Sequence, residues 1–196
     1  MVAALVATFF LVALSIRRFP AWPRRERALA VLGDHTATHP DLLLLAPASA
    51  AREIALGREA VQRAGGRPVL LFRPPYGAHS PRIDQAVRRQ GMLDVLWSID
   101  SGDSNTIRPQ NYAAIARTVT RSIQPGSIVL FHENRGQTIR ALRSILPALA
   151  RRHLQAVTVP RLLAQDPPSR RQLRRGPLGC RSARLPGGGS VSGTGG

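Results

Sequence analysis

"SIVLFH", Ser127–His132, is a short apolar run that ends on a histidine. Two other stretches repeat its pattern: "PVLLFR", Pro68–Arg73, and "LDVLWSID", Leu93–Asp100. Each is too short for a typical helix and is rich in Val, Leu, Ile or aromatic residues, which suits a strand buried on both faces. Helical segments lie between and around them. "ASAAREIALGREAVQRAGG", Ala48–Gly66, reads as a helix that Ser49 can cap and that Gly65 and Gly66 stop. Ser80–Pro81 opens another, ending near Gly91, because proline at the first helical position sacrifices no hydrogen bond. Asn111 opens a third, which closes before Pro125. Thr138 is placed to cap a fourth, with Ile139, Leu142, Ile145, Leu146 and Leu149 on one face and a kink predicted at Pro147. "LQAVTV", Leu154–Val159, finishes the series.

Strands alternating with helices imply a parallel sheet with helices packed outside it. In such folds the chemistry gathers at the carboxyl ends of the strands. Arg73 follows one apolar run, Asp100 and Asp103 follow another, and His132 follows the third. Separate strands therefore bring ionisable groups to one rim.

The rest of the chain bounds the possibilities. Its 196 residues, 43% of them hydrophobic, fit one domain with a sizeable core. The net charge is +17, and all 28 basic residues are arginine. The arginines are dispersed, with few aromatics between them to stack on bases, so no nucleic-acid partner is expected. Cys180 is the single cysteine, which rules out an internal disulfide and a cysteine-based zinc site. Met1–Ile16, "MVAALVATFFLVALSI", is apolar, but its positive charge follows the run rather than preceding it, unlike a secretory signal. It is also short for a membrane span. A buried strand is the first reading and a membrane anchor the rival. From Gln165 the chain turns to Pro, Gly, Ser and Arg without apolar periodicity, so 1–164 is expected to be the folded domain and 165–196 a disordered tail.

"GDHTATHPDL", Gly33–Leu42, carries His35 and His39 four residues apart. Neutral imidazoles at that spacing can share a metal, although Pro40 disfavours a regular helical turn at His39. A hydrolytic metal usually takes a third protein ligand, often a carboxylate, and keeps a position open for water.

"HTATHPDL", "FRPPYG", "WSIDSGD" and "IVLFH" occur in that order. Together they resemble the polysaccharide deacetylases, the NodB-like family 4 carbohydrate esterases, over about Val6 to Leu163. "DSGD" followed by Ser104 matches only in part, since that family usually has tryptophan at the position of Ser104. The resemblance implies an α/β fold, a distorted (β/α) barrel, and a divalent metal, commonly zinc. It implies removal of acetyl groups from amino sugars in chitin-like or peptidoglycan-like polymers, or from acetylated xylan, by a monomer without a membrane span. On that resemblance His35 and His39 hold the metal and His132 is the general acid for the leaving nitrogen. Arg73 orients the catalytic base, and Asp100 or Asp103 stands behind these groups and tunes their charge. The backbone N–H of Tyr76 helps hold the oxyanion, Leu130 lines the acetyl pocket, and Trp97 is a substrate contact or a core residue. His79 and His153 match no motif and are expected at the surface. Family members of this kind are typically extracellular or in the cell envelope.

That family opens with a Thr-Phe-Asp-Asp-Gly motif on its first strand, whose aspartates supply the base and the third metal ligand. No such segment occurs in this sequence, and "ATFFLV", Ala7–Val12, resembles the strand that follows it. Nothing points to Asp34 or Asp41 as a replacement. The expectation is a barrel lacking its first strand, weak metal binding and poor activity. Two explanations stand: a start further upstream in a working deacetylase, or a degenerate paralogue that keeps a carbohydrate-binding groove. From another class, a basic membrane- or nucleic-acid-associated protein predicts steeply salt-dependent binding that does not need His35 or His132.

Overall fold

The computed structural model describes residues 6–105, 111–133 and 135–170. Strand β1 (Ala7–Leu11) is followed by helices α1 (Ala13–Arg18) and α2 (Trp22–Glu26), then β2 (Ala30–Asp34), α3 (Pro47–Gly65) and β3 (Leu71–Phe72). Helix α4 (Pro81–Arg89), β4 (Leu93–Asp94), β5 (Ile99–Asp100), α5 (Tyr112–Ser122), β6 (Val129–Leu130), α6 (Gly136–Arg151) and α7 (Val159–Gln165) complete the described order. Strands β1 to β4 form one parallel sheet in chain order, and β5 and β6 form a parallel pair. This is a partial, barrel-like α/β arrangement, as the alternation of strands and helices implies.

Both faces of the larger sheet are covered. Phe72 and Leu11 pack with Ile54 and Val61 of α3 and with Ile83 and Val87 of α4. Leu71 packs on the opposite face with Val95 and Val159, against Phe10, Val31 and Leu93. Helices α5 and α6 bury their own apolar stripe, Ile115, Val119, Ala141 and Ile145. Apolar burial on two faces is what made these strands read as continuous apolar runs.

Several boundaries differ from the sequence reading. The apolar start is not one strand: pairing stops at Leu11 and α1 begins at Ala13, while residues 1–5 lie outside the described residues. Helix α3 begins at Pro47 after Ala46, so Ser49 is not its cap; Gly66, at φ 66°, ends it as expected. Helix α6 begins at Gly136 and Thr138 is not its cap, because the Thr138 hydroxyl is spent on Asp103. Helix α6 runs from Gly136 to Arg151 with Pro147 inside it, in keeping with a proline within that helix. "LQAVTV" forms no strand; Thr158 caps α7 and the Val159 N–H donates to Thr8 Oγ1 at 3.0 Å. Of the expected tail, 171–196 lies outside the described residues.

"LDVLWSID" also divides. Val95 N–H donates to Phe72 O at 2.8 Å, whereas Ser98 and Ile99 N–H both donate to Ile128 O, at 2.9 and 3.1 Å. The segment leaves one sheet and joins the other. Among the described residues β1 pairs only with β2. No helix of the described residues is long and apolar enough to cross a membrane.

Candidate active site

The His35–His39 loop follows β2 at its carboxyl end. The backbone turns sharply there, with Thr36 at φ 72° and His39 at φ 67°, both in the left-handed region that costs about 1–2 kcal/mol for a residue with a Cβ. Local bonds hold it: Thr36 N–H donates to Asp34 Oδ1 at 2.9 Å and His39 N–H to Thr36 Oγ1 at 3.0 Å. His35 Nδ1 lies 2.6 Å from the carbonyl oxygen of Arg73. A carbonyl only accepts, so Nδ1 carries the proton and Nε2 is left with the ring's lone pair. Burial pushes His35 down to about 4, so the ring is neutral at pH 7. Burial lowers His39 also, and the two rings stand edge to face at 4.7 Å. His35 thus has the tautomer and charge state a metal-binding imidazole needs.

The third imidazole comes from the loop after β6. Asp103 fastens it: His132 N–H donates to Asp103 Oδ2 at 2.7 Å, and His132 Nδ1 meets Oδ1 at 2.8 Å. Thr138 donates its hydroxyl to Oδ2 at 2.6 Å. Burial alone would raise the Asp103 carboxyl. The bonds from His132 and Thr138 outweigh it and hold the group below its ordinary range. A charge on His132 would act on both His35 and His39, which puts the three imidazoles on the same side of the fold.

Tyr76 faces the same place. It is left-handed at φ 60°, 70% exposed, and sets its ring against His39 at 4.8 Å. Arg73 is buried beneath. Its guanidinium donates to Val95 O at 3.0 Å and Leu96 O at 3.3 Å, the carbonyls of the segment that changes sheets. It lies 4.2 Å over the Phe10 ring and 5.6 Å over that of Trp97. Burial lowers Arg73 to about 10, which leaves it cationic at neutral pH. Trp97 is half-buried. Leu130 is half-buried on β6, opposite Asp100 in the register. Asp100 is exposed and caps the turn at Gly102 N–H, at 2.8 Å, while Asp103 is the carboxylate behind the histidine.

Two features escaped the sequence reading. His79 is not a free surface residue: its Nδ1 lies 3.4 Å from Asp84, a buried carboxyl on α4. Asp84 abuts the buried Asp94, whose pKa burial pushes up to about 8. An aspartate inside "LDVLW" was the available signal, since a charge in a buried strand needs an account. Thr138 and Glu53, which reach the site from two helices, left no such mark.

The site therefore offers two imidazoles side by side and a third locked to a carboxylate. Among the described residues no third His, Cys, Asp or Glu joins His35 and His39 in a group able to hold a metal. His35 and His39 fit part of a zinc-type donor set, which a further ligand would have to complete.

A cluster of imidazoles and a carboxylate thus stands at the carboxyl ends of parallel strands in an α/β partial barrel. The polysaccharide deacetylase family model matches residues 3–95. A chitooligosaccharide deacetylase of Azorhizobium caulinodans is 31% identical over 163 residues, covering 75% of this chain and 76% of that protein. A peptidoglycan-N-acetylglucosamine deacetylase of Bacillus cereus is 29% identical over 161 residues, covering 80% and 75%. The family 4 carbohydrate esterase of Streptomyces lividans, solved in complex with acetate, superposes with a TM-score of 0.72 at 29% identity, over 78% of each chain. The chain belongs to the polysaccharide deacetylase family.

Proposed function

We propose that this protein acts on N-acetylated amino-sugar polymers or oligomers, of chito-oligosaccharide or peptidoglycan type, and hydrolyses their acetamide groups. The observation that carries the reading is His35 and His39 standing ring to ring at 4.7 Å, on the side of the fold where Asp103 holds His132. His35 and His39 would hold a divalent metal, zinc by the nature of the donors. Such a metal, when bound, polarises the amide carbonyl and activates water. His132 is the group suited to protonate the departing amine, since Asp103 fixes its ring through Nδ1 and leaves Nε2 to face the substrate. Tyr76 and Trp97 are assigned to substrate contact, and Leu130 to the acetyl pocket. Arg73 positions the floor of the site through Val95 and Leu96.

The same site sets a limit. Among the described residues no carboxylate joins His35 and His39 in a group able to hold a metal, so the reading includes weak zinc binding and low turnover. A second reading, carbohydrate binding without turnover, draws on that same gap. Acetate release from acetylated chito-oligosaccharides and peptidoglycan fragments, with added zinc, tests the first. Slow release that His132→Ala abolishes supports it. Saturable glycan binding with no release at any zinc concentration replaces it with the second.

A further inference from the structure

We propose that Glu53 and Gly57, one turn apart on α3, are positioning residues that shape the His35–His39 loop for metal, although neither is a ligand; this rests on reading His35 and His39 as the metal pair. The loop needs outside support, because two of its residues with a Cβ are left-handed. Glu53 supplies three contacts. Its backbone carbonyl accepts the Ala37 N–H at 3.0 Å. Its carboxylate accepts the Thr38 N–H at 2.9 Å through Oε2 and the Thr38 hydroxyl at 3.1 Å through Oε1. Both residues between Thr36 and His39 are thus tied to one side chain and its own peptide. With Ala37 and Thr38 fixed, His39 has little freedom to leave its partner ring.

Gly57 makes the approach possible. A Cβ there would strike Asp34 Oδ1 and come within 2.6 and 2.8 Å of the Thr36 backbone carbon and Cα. Two of those atoms are main chain, so a side chain could be admitted only by pushing the loop off the helix. Gly57 therefore lets the loop close on α3, and Glu53 then holds it. Ala50, Ile54 and Val61, buried on the same helix, keep α3 itself in place. In the sequence this is a glutamate fourteen residues after His39, with a glycine four further on.

The test is zinc affinity by chelator competition on the full chain, beside amide hydrogen exchange of Ala37–His39 without metal and thermal unfolding. Glu53→Leu is expected to lower zinc affinity about tenfold or more, the usual effect of losing an outer-shell partner. Exchange should quicken at Ala37–His39 and not in α5 or α6. Glu53→Gln should recover part of the affinity, since its amide oxygen still accepts the Thr38 N–H. Gly57→Ala should act like Glu53→Leu while leaving the Glu53 side chain intact. Zinc affinity within twofold of the wild type in folded Glu53→Leu and Gly57→Ala overturns the proposal. If the wild type takes up no zinc, the metal reading of the site fails instead. Loop exchange then decides this inference: unchanged protection in Glu53→Leu ends it.

Discussion

Asp103 grips His132 at two points, accepting the backbone N–H at 2.7 Å through one oxygen and facing Nδ1 at 2.8 Å through the other. Main chain and ring are thus fixed by one carboxylate, which Thr138 holds in turn. An asparagine would keep the shape but lose the charge and one acceptor. Asp103→Asn is expected to lower acetate release by at least about tenfold, the lower part of what a misplaced proton donor costs, with zinc uptake unchanged. The depressed Asp103 pKa contributes stability above its unfolded value, near 4, and that contribution is lost as pH falls further. Acid denaturation below about pH 4 should be blunted in Asp103→Asn, as followed by circular dichroism.

His35 gives the opposite acid signature from a partnered histidine. Its folded pKa is down to about 4, whereas an unfolded histidine titrates near 6.5. Between those values the unfolded chain binds the extra proton, so stability falls as pH drops from about 6.5 to 4 and levels below that. His35→Asn, which cannot titrate, should remove this slope. The difference between the two proteins should be about 2–3 kcal/mol across the window. Urea unfolding at several pH values measures it; equal slopes would mean that His35 is solvated and free to protonate.

Asp94 runs the other way. Burial, with the Asp84 carboxyl against it, raises its carboxyl to about 8. From about pH 4 to 8 the folded state keeps a proton that the unfolded chain releases, so this group makes the fold less stable as pH rises. Asp94→Asn should therefore be more stable than wild type at pH 8 and close to it at pH 5, by chemical denaturation. A variant weaker at both pH values would show that ionised Asp94 balances the Arg73 charge.

The strands and the rim were legible because burial on two faces writes apolar runs, and because polar residues then appear where those runs end. Arg73, Asp103 and His132 could be placed that way. What was hidden depended on partners distant in the chain. Glu53 bonds residues fifteen positions earlier, and Thr138 reaches Asp103 across thirty-five. Thr138 also looked like a helix cap, since a threonine before an apolar stripe carries the same mark in either role. The division of "LDVLWSID" was hidden for another reason: both halves are apolar, and only the third dimension shows that Val95 pairs with Phe72 while Ser98 and Ile99 turn to Ile128.

Closure of the fold makes the last prediction. Helix α7, the last described element, is tied to β1 through one hydroxyl, with Val159 N–H donating to Thr8 Oγ1 at 3.0 Å. Thr8 lies on β1, and Val159 is buried as the first residue of α7. Thr8→Val preserves the shape but removes the acceptor, leaving a largely buried N–H without a partner. Such a loss costs about 1–3 kcal/mol. The urea midpoint should drop accordingly, and exchange at Val159 should quicken first, because α7 has few other ties to β1. Thr8→Ser keeps the oxygen and should hold the Val159 amide protected. If Thr8→Val is as stable as the wild type with Val159 still slow to exchange, then apolar packing of Val159 against Leu71 and Val95 closes the molecule without help from the hydroxyl.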